Sequence, residues 1–362
     1  MRRVLILGGY GTFGRRIALA LTKDAVPVII AGRNMGKAEA LRRDLPEGLS
    51  ATACFDAHRD LDAHLEALDP AVVINTCGPF QGSDYAIAET CIRHGVHYID
   101  LADARAFVSG ILALDRQARE ADVAVITGAS TVPGLSSAVI EAYRSEFAVI
   151  ESLRFGISPG QKTERGLATT RGILSYVGKP FRAFAGHKVA VYGWQDLYRQ
   201  AYPELGTRWM ANCEIPDLDL LPERYGIRSI QFSAGLELGA LHLGLWALSW
   251  LVRAGLPLEL PRLAPLMLKA CDWFNGLGSA DGGMHVILSG EDGEGRPHTR
   301  KWFIVARAGD GPQIPTVPAI LLAKRLVRGE LDLRGAMPCV GLISLEDYLR
   351  ELRPYKIRTY TP

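Results

Sequence analysis

The sequence predicts an α/β protein, with a doubly wound parallel sheet first and a second, α+β domain after it. Three observations carry this prediction: strand-like and helix-like segments alternate up to residue 134, a glycine-rich turn follows the first strand, and later segments show hairpin spacing. The predicted domains are residues 1–134, residues 135–312, and a C-terminal stretch, 313–362, whose helices pack back on the first domain. Six parallel strands are expected at residues 4–7, 26–31, 51–55, 71–75, 97–101 and 123–127.

The turn after the first strand has its glycines at the spacing G-x-G-x-x-G. Between a strand and a helix, this spacing is typical of Rossmann dinucleotide sites. The first glycine allows the tight turn, the second lets the backbone approach a pyrophosphate, and the third lets the helix pack closely on the sheet. The N–H groups at the start of that helix are expected to face the phosphates. The predicted cofactor-binding residues here are Gly9, Tyr10, Gly11, Thr12, Phe13 and Gly14.

The end of the second strand distinguishes NAD from NADP. An acidic side chain at this place would bind the ribose 2′-hydroxyl of NAD, and the run Ala31-Gly32-Arg33-Asn34 contains none. Arg33 can instead pair with a 2′-phosphate, with Asn34 and Lys37 nearby. The sequence therefore predicts NADP, and a solvated loop charge is the alternative interpretation of Arg33.

The ends of the third and fourth strands complete the predicted cofactor site. Asp56 could accept a hydrogen bond from the adenine amino group or cap the following helix. Asn75 and the turn at Cys77, Gly78 and Pro79 are expected to hold the nicotinamide ribose. Cys77 is interpreted as a small residue that fills a tight loop, because the sequence shows no basic partner that would make it a nucleophile.

The fifth strand carries the candidate catalytic residues His97, Tyr98 and Asp100, at or next to its carboxyl end. Strand alternation puts Tyr98 and Asp100 on one side of the sheet and His97 on the other. Asp100 is the first candidate for a polar group in the cleft. Tyr98, His97 and residues of the second domain are the other candidate proton donors. Helix capping or loop solvation explains Asp100 equally well.

Together, these motifs resemble the NADP-binding domain of saccharopine dehydrogenase-like proteins. The resemblance implies NADP at the glycine turn and at the loop after the fourth strand. It also implies reduction of a C=N or C=C bond, without naming the substrate or carrying over a catalytic residue. The motifs are Gly9-Tyr10-Gly11-Thr12-Phe13-Gly14, Ala31-Gly32-Arg33, Asn75-Thr76-Cys77-Gly78-Pro79-Phe80, Tyr98-Ile99-Asp100, Pro133-Gly134-Leu135 and, more weakly, Ala308-Gly309-Asp310-Gly311-Pro312.

Composition narrows the classes of function. The net charge of the 362 residues is +2 and no long Lys/Arg run occurs, so no nucleic-acid partner is expected. The six cysteines are scattered without a C-x-x-C pair and the eight histidines are dispersed, so we expect reduced thiols and no metal site. The apolar run at residues 4–7 is too short for a secretory signal, which favours a cytoplasmic location.

One segment of the second domain is unusual. The stretch from Leu238 to Val252 contains no charged residue and includes Trp246 and Trp250. It is shorter than the roughly 20 apolar residues that cross a membrane, so no transmembrane segment is expected. Three interpretations remain open: a buried core or dimer-interface helix, a wall of an apolar substrate pocket, and contact with a membrane surface.

The predicted function is that of an NADP-dependent oxidoreductase, which transfers a hydride to or from a C=N or C=C bond of a small molecule. The apolar segment favours a bulky, apolar substrate over a compact diacid. The alternatives are an enoyl-type reductase that acts on a lipid-like substrate and an NADP-binding regulatory protein without turnover. A homodimer is expected.

Overall fold

The structure, a computed structural model, describes residues 2–362 apart from the side chain of Lys188. It divides into two compact units. The first runs to Leu135 and includes Gln313–Ile343, and the second comprises Ser136–Pro312 and Ser344–Pro362. The C-terminal stretch that the sequence assigns to the first domain is therefore shared between the two units.

Sixteen strands occur within the described residues. In chain order they are β1 Val4–Leu7, β2 Val28–Gly32, β3 Ser50–Cys54, β4 Val72–Asn75, β5 His97–Asp100, β6 Ala124–Thr127, β7 Val149–Ser158, β8 Pro180–Ala185, β9 Lys188–Tyr192, β10 Tyr198–Tyr202, β11 Gly206–Asn212, β12 Ser229–Ala234, β13 Gly282–Glu291, β14 Pro297–Ala306, β15 Gly335–Pro338 and β16 Ile357–Tyr360.

The same residues form thirteen α-helices. In chain order they are α1 Gly14–Lys23, α2 Met35–Arg43, α3 Leu61–Leu68, α4 Ala86–Arg93, α5 Arg105–Gly110, α6 Asp115–Glu120, α7 Ser136–Tyr143, α8 Leu167–Tyr176, α9 Asp217–Tyr225, α10 Gly239–Arg253, α11 Leu260–Asp272, α12 Val317–Arg328 and α13 Leu345–Leu352.

The first unit is built on a seven-stranded sheet in the order β15-β6-β5-β4-β1-β2-β3. All of its strand pairs are parallel. The order 3-2-1-4-5-6 within it defines the doubly wound Rossmann sheet, in which ligands bind at the carboxyl edge where the strand order reverses. That reversal lies between β1 and β4. The predicted fold class is confirmed.

Strand β1 is fully buried because parallel strands are covered by helices on both faces. One of those faces packs against a core that contains Leu5, Leu7, Val73 and Tyr98. Since the side chains of β4 and β5 lie in register, Asn75 stands beside Asp100 and Val73 beside Tyr98. Three polar side chains, those of Asn75, Tyr98 and Asp100, therefore share one face near the carboxyl edge.

The second unit contains a mixed sheet in the order β10-β11-β12-β7-β13-β14-β16, with β8 paired to β12 and to β9. The predicted hairpin is present as the antiparallel pair β13–β14. Residues 195–226, which show no clear periodicity, form β10, β11 and α9. On one side of this unit, α8, α10 and α11 pack around a small apolar cluster that includes Leu174, Trp194 and Leu260.

Candidate functional site

The glycine turn at the end of β1 is fixed by backbone contacts. Gly8 has a φ of +72°, so it makes the tight turn that the sequence assigns to Gly9. Gly9 is needed for another reason: a Cβ there would lie 2.9 Å from the Ile30 side chain. A Cβ on Gly14 would lie 2.4 Å from the carbonyl oxygen of Gly8, which confirms close packing of α1 on the turn.

Gly11 lies at the open side of this turn. Gly11 is exposed, and a Cβ at this position would have one near neighbour, the Gly8 carbonyl oxygen, 3.1 Å away. Thr12 and Phe13 follow as half-buried residues, and α1 begins at Gly14. The turn thus presents bare backbone next to a helix N-terminus, the arrangement that accommodates a pyrophosphate.

Tyr10 braces the loop that follows β2. Its ring packs against Gly32, where a Cβ would be 2.6 Å from a ring carbon. Its hydroxyl accepts a 3.0 Å hydrogen bond from the backbone N–H of Asn34. The Asn34 side chain in turn accepts from the N–H of Lys37 and caps α2. The glycine turn and the Arg33 loop are therefore held together through Tyr10.

Arg33 projects from this braced loop. It is exposed, and among the described residues its guanidinium has no carboxylate partner. Lys37 is exposed on the first turn of α2. Two cations and a helix N-terminus thus lie at the carboxyl edge of β2, which is the environment that a phosphate requires.

Asp56 and Cys77 lie within electrostatic range of Arg33. Burial raises the pKa of the Cys77 thiol to about 11. The Arg33 charge lowers this pKa and the Asp56 charge raises it, and both effects are smaller than that of burial. Cys77 is therefore a protonated thiol at neutral pH, as its interpretation as a loop-filling residue requires. The Asp56 carboxylate accepts from the backbone N–H of His58, 3.1 Å away.

The loop after β4 is tied to both neighbouring strands. The Asn75 side-chain oxygen accepts from the N–H of Cys77 at 3.0 Å, and its amide donates to the Tyr98 hydroxyl at 3.1 Å. The Thr76 hydroxyl donates to the Leu7 carbonyl at 2.7 Å. A cis peptide bond between Gly78 and Pro79 then completes the turn. Asn75 thus makes one internal hydrogen bond through its side-chain oxygen and one through its amide nitrogen.

Asp100 joins the loops that leave β5 and β6. One carboxylate oxygen accepts from the Thr127 hydroxyl at 2.8 Å and from the N–H groups of Gly128 and Ala102, both at 2.9 Å. The other oxygen has no hydrogen-bond partner among the described residues. The side chain is 0% exposed, and this burial raises the pKa of Asp100 to about 6 in spite of the three donors.

Tyr98 and His97 occupy different surroundings from each other. Tyr98 is buried in the core, and burial, reinforced by the Asp100 charge, holds the pKa of its hydroxyl well above the usual value. The placement of His97 at the carboxyl end is wrong: it is the first residue of β5, at the amino edge. There its Nδ1 accepts from the N–H of Ala124 at 3.0 Å, and partial burial lowers its pKa.

The second unit contains a polar cluster that the sequence analysis misses. His285 is fully buried, with Nδ1 2.8 Å from the Tyr202 hydroxyl and Nε2 3.2 Å from the Tyr198 hydroxyl. Burial, with the Arg154 charge, lowers the pKa of His285 to about 3, so the imidazole is neutral at pH 7. The strands that meet here are far apart in the chain, and no spacing motif links them.

No three His, Cys, Asp or Glu side chains within residues 2–362 come together in a way that could hold a metal ion. In the same range, no helix is both long and apolar enough to cross a membrane.

Comparisons with known proteins identify the first unit. Residues 4–126 match the family model of the saccharopine dehydrogenase NADP binding domain. The chain matches none of the curated proteins. Among solved structures, apo saccharopine dehydrogenase (L-Glu forming) from Saccharomyces cerevisiae is 14% identical, with a TM-score of 0.69 over 100% of both chains. Amine dehydrogenase from Mycobacterium smegmatis is 12% identical, with a TM-score of 0.49 over 94% of this chain and 95% of that one.

The Rossmann strand order, the open glycine turn and the matched residues define the first unit as an NADP-binding domain. Over residues 4–126 the chain is similar to the NADP-binding domain of saccharopine dehydrogenase. The resemblance of the sequence motifs and the predicted cofactor are both confirmed.

Proposed function

We propose that this protein is an NADP-dependent oxidoreductase, which transfers a hydride between nicotinamide C4 and a C=N or C=C bond of a small, largely apolar molecule. The observation that carries the proposal is the braced pair of loops at the carboxyl edge of β1 and β2, where the bare Gly11 backbone and Arg33 lie. A bound nicotinamide supplies the hydride, and the protein contributes orientation and the exclusion of water. A cytoplasmic homodimer is part of the same proposal.

The cofactor-binding roles follow from these positions. Arg33 pairs with the 2′-phosphate, and Lys37 and the N-terminus of α2 add to the positive potential there. Gly11 and the start of α1 face the pyrophosphate, and Asp56 accepts from the adenine amino group. Because the Asn75 side chain is engaged internally, its role is to shape the loop from Cys77 to Pro79, whose backbone lies against the nicotinamide ribose.

The three candidate catalytic residues receive other roles in this proposal. A general acid must come within hydrogen-bond distance of the substrate. Asp100 and Tyr98 are closed off from solvent, and His97 lies at the amino edge of the sheet. We therefore propose that Asp100 and Tyr98 position the loops after β4, β5 and β6, and that none of the three donates the proton.

A panel of cyclic imines, acyclic imines and enoyl thioesters of increasing chain length tests this function through NADPH oxidation. We expect turnover with one class, and binding that tightens by about 0.8 kcal/mol for each added methylene. The matched control is Gly11→Ala, which should fold and need at least about tenfold more NADPH to reach the same rate. Tight NADPH binding without turnover of any compound would favour the alternative function, an NADP-binding regulatory protein. A strict requirement for two carboxylates in the substrate would exclude a largely apolar substrate.

A further inference from the structure

Helix α10 has its polar side chains inside and its apolar side chains outside. The two side chains on it that are 0% exposed are His242 and Ser249. His242 accepts from the N–H of Leu236, and Ser249 donates to the carbonyl of Trp246. The exposed residues of the helix up to Leu251 have no polar side chain: Ala240, Leu243, Gly244, Ala247, Trp250 and Leu251. A water-facing helix has the opposite arrangement.

Helix α11 and the turn after it continue this apolar surface. Leu266, Trp273 and Leu277 are 66%, 85% and 74% exposed. Within α11, Leu263, Leu266 and Ala270 repeat at intervals of three and four residues and form one stripe, with which we group Trp273 and Leu277 of the following turn. We call the outward side chains of α10 together with this stripe the apolar face. Both helices contribute side chains to the same apolar cluster, and outward apolar side chains on two such helices mark an interaction site.

Exposed cations lie on α10 and α11 and on the segment that packs against them. The segment 160–199 contains seven Lys or Arg and two Asp or Glu residues. Its helix α8 packs on α11, and Gly178 packs against the carbonyl of Ser249 in α10. The exposed cations Arg171, Lys179, Arg253 and Lys269 therefore lie around or beside the face. Of the nearby acids, Glu259 forms an ion pair with Arg262, and Asp272, which accepts from the neutral Asn275 amide, keeps its charge, so the exposed cations outnumber the free carboxylate.

We propose that the apolar face docks on the surface of an anionic phospholipid bilayer, with the side chains of α10 and α11 inserted at the level of the headgroups. Exposed tryptophans beside leucines suit this interface, where an aromatic ring meets both hydrocarbon and water. The basic rim meets the anionic headgroups. A second copy of the chain fits less well, because an isologous contact would bring two basic rims together.

Vesicle flotation of the full chain tests this docking. With vesicles of phosphatidylcholine and phosphatidylglycerol we expect binding at least about tenfold tighter than with phosphatidylcholine alone. The combined substitutions Leu266→Ser, Trp273→Ser and Leu277→Ser should weaken binding at least about tenfold. The combined Arg171→Gln, Lys179→Gln and Lys269→Gln should remove most of the preference for phosphatidylglycerol.

The matched control is Leu112→Ser, which removes a leucine that is 58% exposed in the first unit. It should bind vesicles as the wild type does. All variants should keep the melting temperature and the NADPH affinity of the wild type, so that a failure of docking is separable from a failure of the cofactor site. Absence of binding to either vesicle, or binding that the serine variant retains, would overturn the proposal. The proposal would also be overturned if the wild type bound no vesicles and light scattering showed that it is a dimer which the serine variant loses.

Discussion

Gly14→Ala is expected to destabilise the first unit by roughly 3 kcal/mol or more and to abolish NADPH binding with it. The new Cβ would lie 2.4 Å from the Gly8 carbonyl oxygen and 2.7 Å from the Gly9 Cα. Both are backbone atoms, which cannot move aside as a side chain can. The measurements are thermal denaturation and calorimetric titration with NADPH.

Gly11→Ala is the informative partner of this variant. Its Cβ would approach only the Gly8 carbonyl oxygen, at 3.1 Å, so we expect a loss of about 1 kcal/mol of stability or less. NADPH binding should nevertheless weaken at least about tenfold, because the methyl group occupies the approach of the pyrophosphate. Gly293→Ala in the turn between β13 and β14 serves as the control, since no atom lies within 4 Å of its Cβ. Wild-type stability of Gly14→Ala, or wild-type affinity of Gly11→Ala, would contradict the assigned geometry.

Asp100→Ala is expected to cost about 3–5 kcal/mol, because three buried donors lose their common acceptor. Asp100→Asn keeps the accepting oxygen and removes the ionisable group. Its stability at pH 8 should equal or exceed that of the wild type. Chemical denaturation of both variants measures these differences.

The pH dependence of the wild type follows from the same group. The pKa of Asp100 is raised to about 6 in the folded chain, so the native state holds this proton where the unfolded state has released it. Its contribution to the free energy of unfolding is therefore largest below about pH 4 and is lost as the pH rises to about 6. Asp100→Asn should lack this decline. An asparagine variant as unstable as the alanine variant would show that the charge itself is required.

Several features of the first unit can be predicted from sequence because they depend on short stretches of chain. Four buried apolar residues, three glycines and a basic loop define β1, its turn and the end of β2 within about 35 residues. Strand β15 could not be predicted in this way. Its four residues, Gly335–Pro338, show no alternation, and they form a strand because they pair with β6, about 200 residues earlier in the chain.

The details of the site depend on contacts that no periodicity encodes. The positive φ of Gly8 and the brace from Tyr10 to Asn34 appear only once the turn is folded. His97 was assigned to the carboxyl end of β5 although the predicted strand, residues 97–101, begins with it, and the first residue of a parallel strand lies at the amino edge. The Tyr198–His285–Tyr202 cluster joins strands more than 80 residues apart.

The dissociation constants of NADPH and NADH, measured by calorimetric titration of the wild type and Arg33→Ala, test the central claim most directly. A charge-assisted phosphate contact contributes about 1.5–3 kcal/mol. We therefore expect the wild type to prefer NADPH, and Arg33→Ala to lose at least about tenfold in NADPH affinity with NADH nearly unchanged. Arg116→Ala, which removes an exposed arginine of α6, should change neither. Equal losses for both cofactors, or a wild-type preference for NADH, would contradict the account.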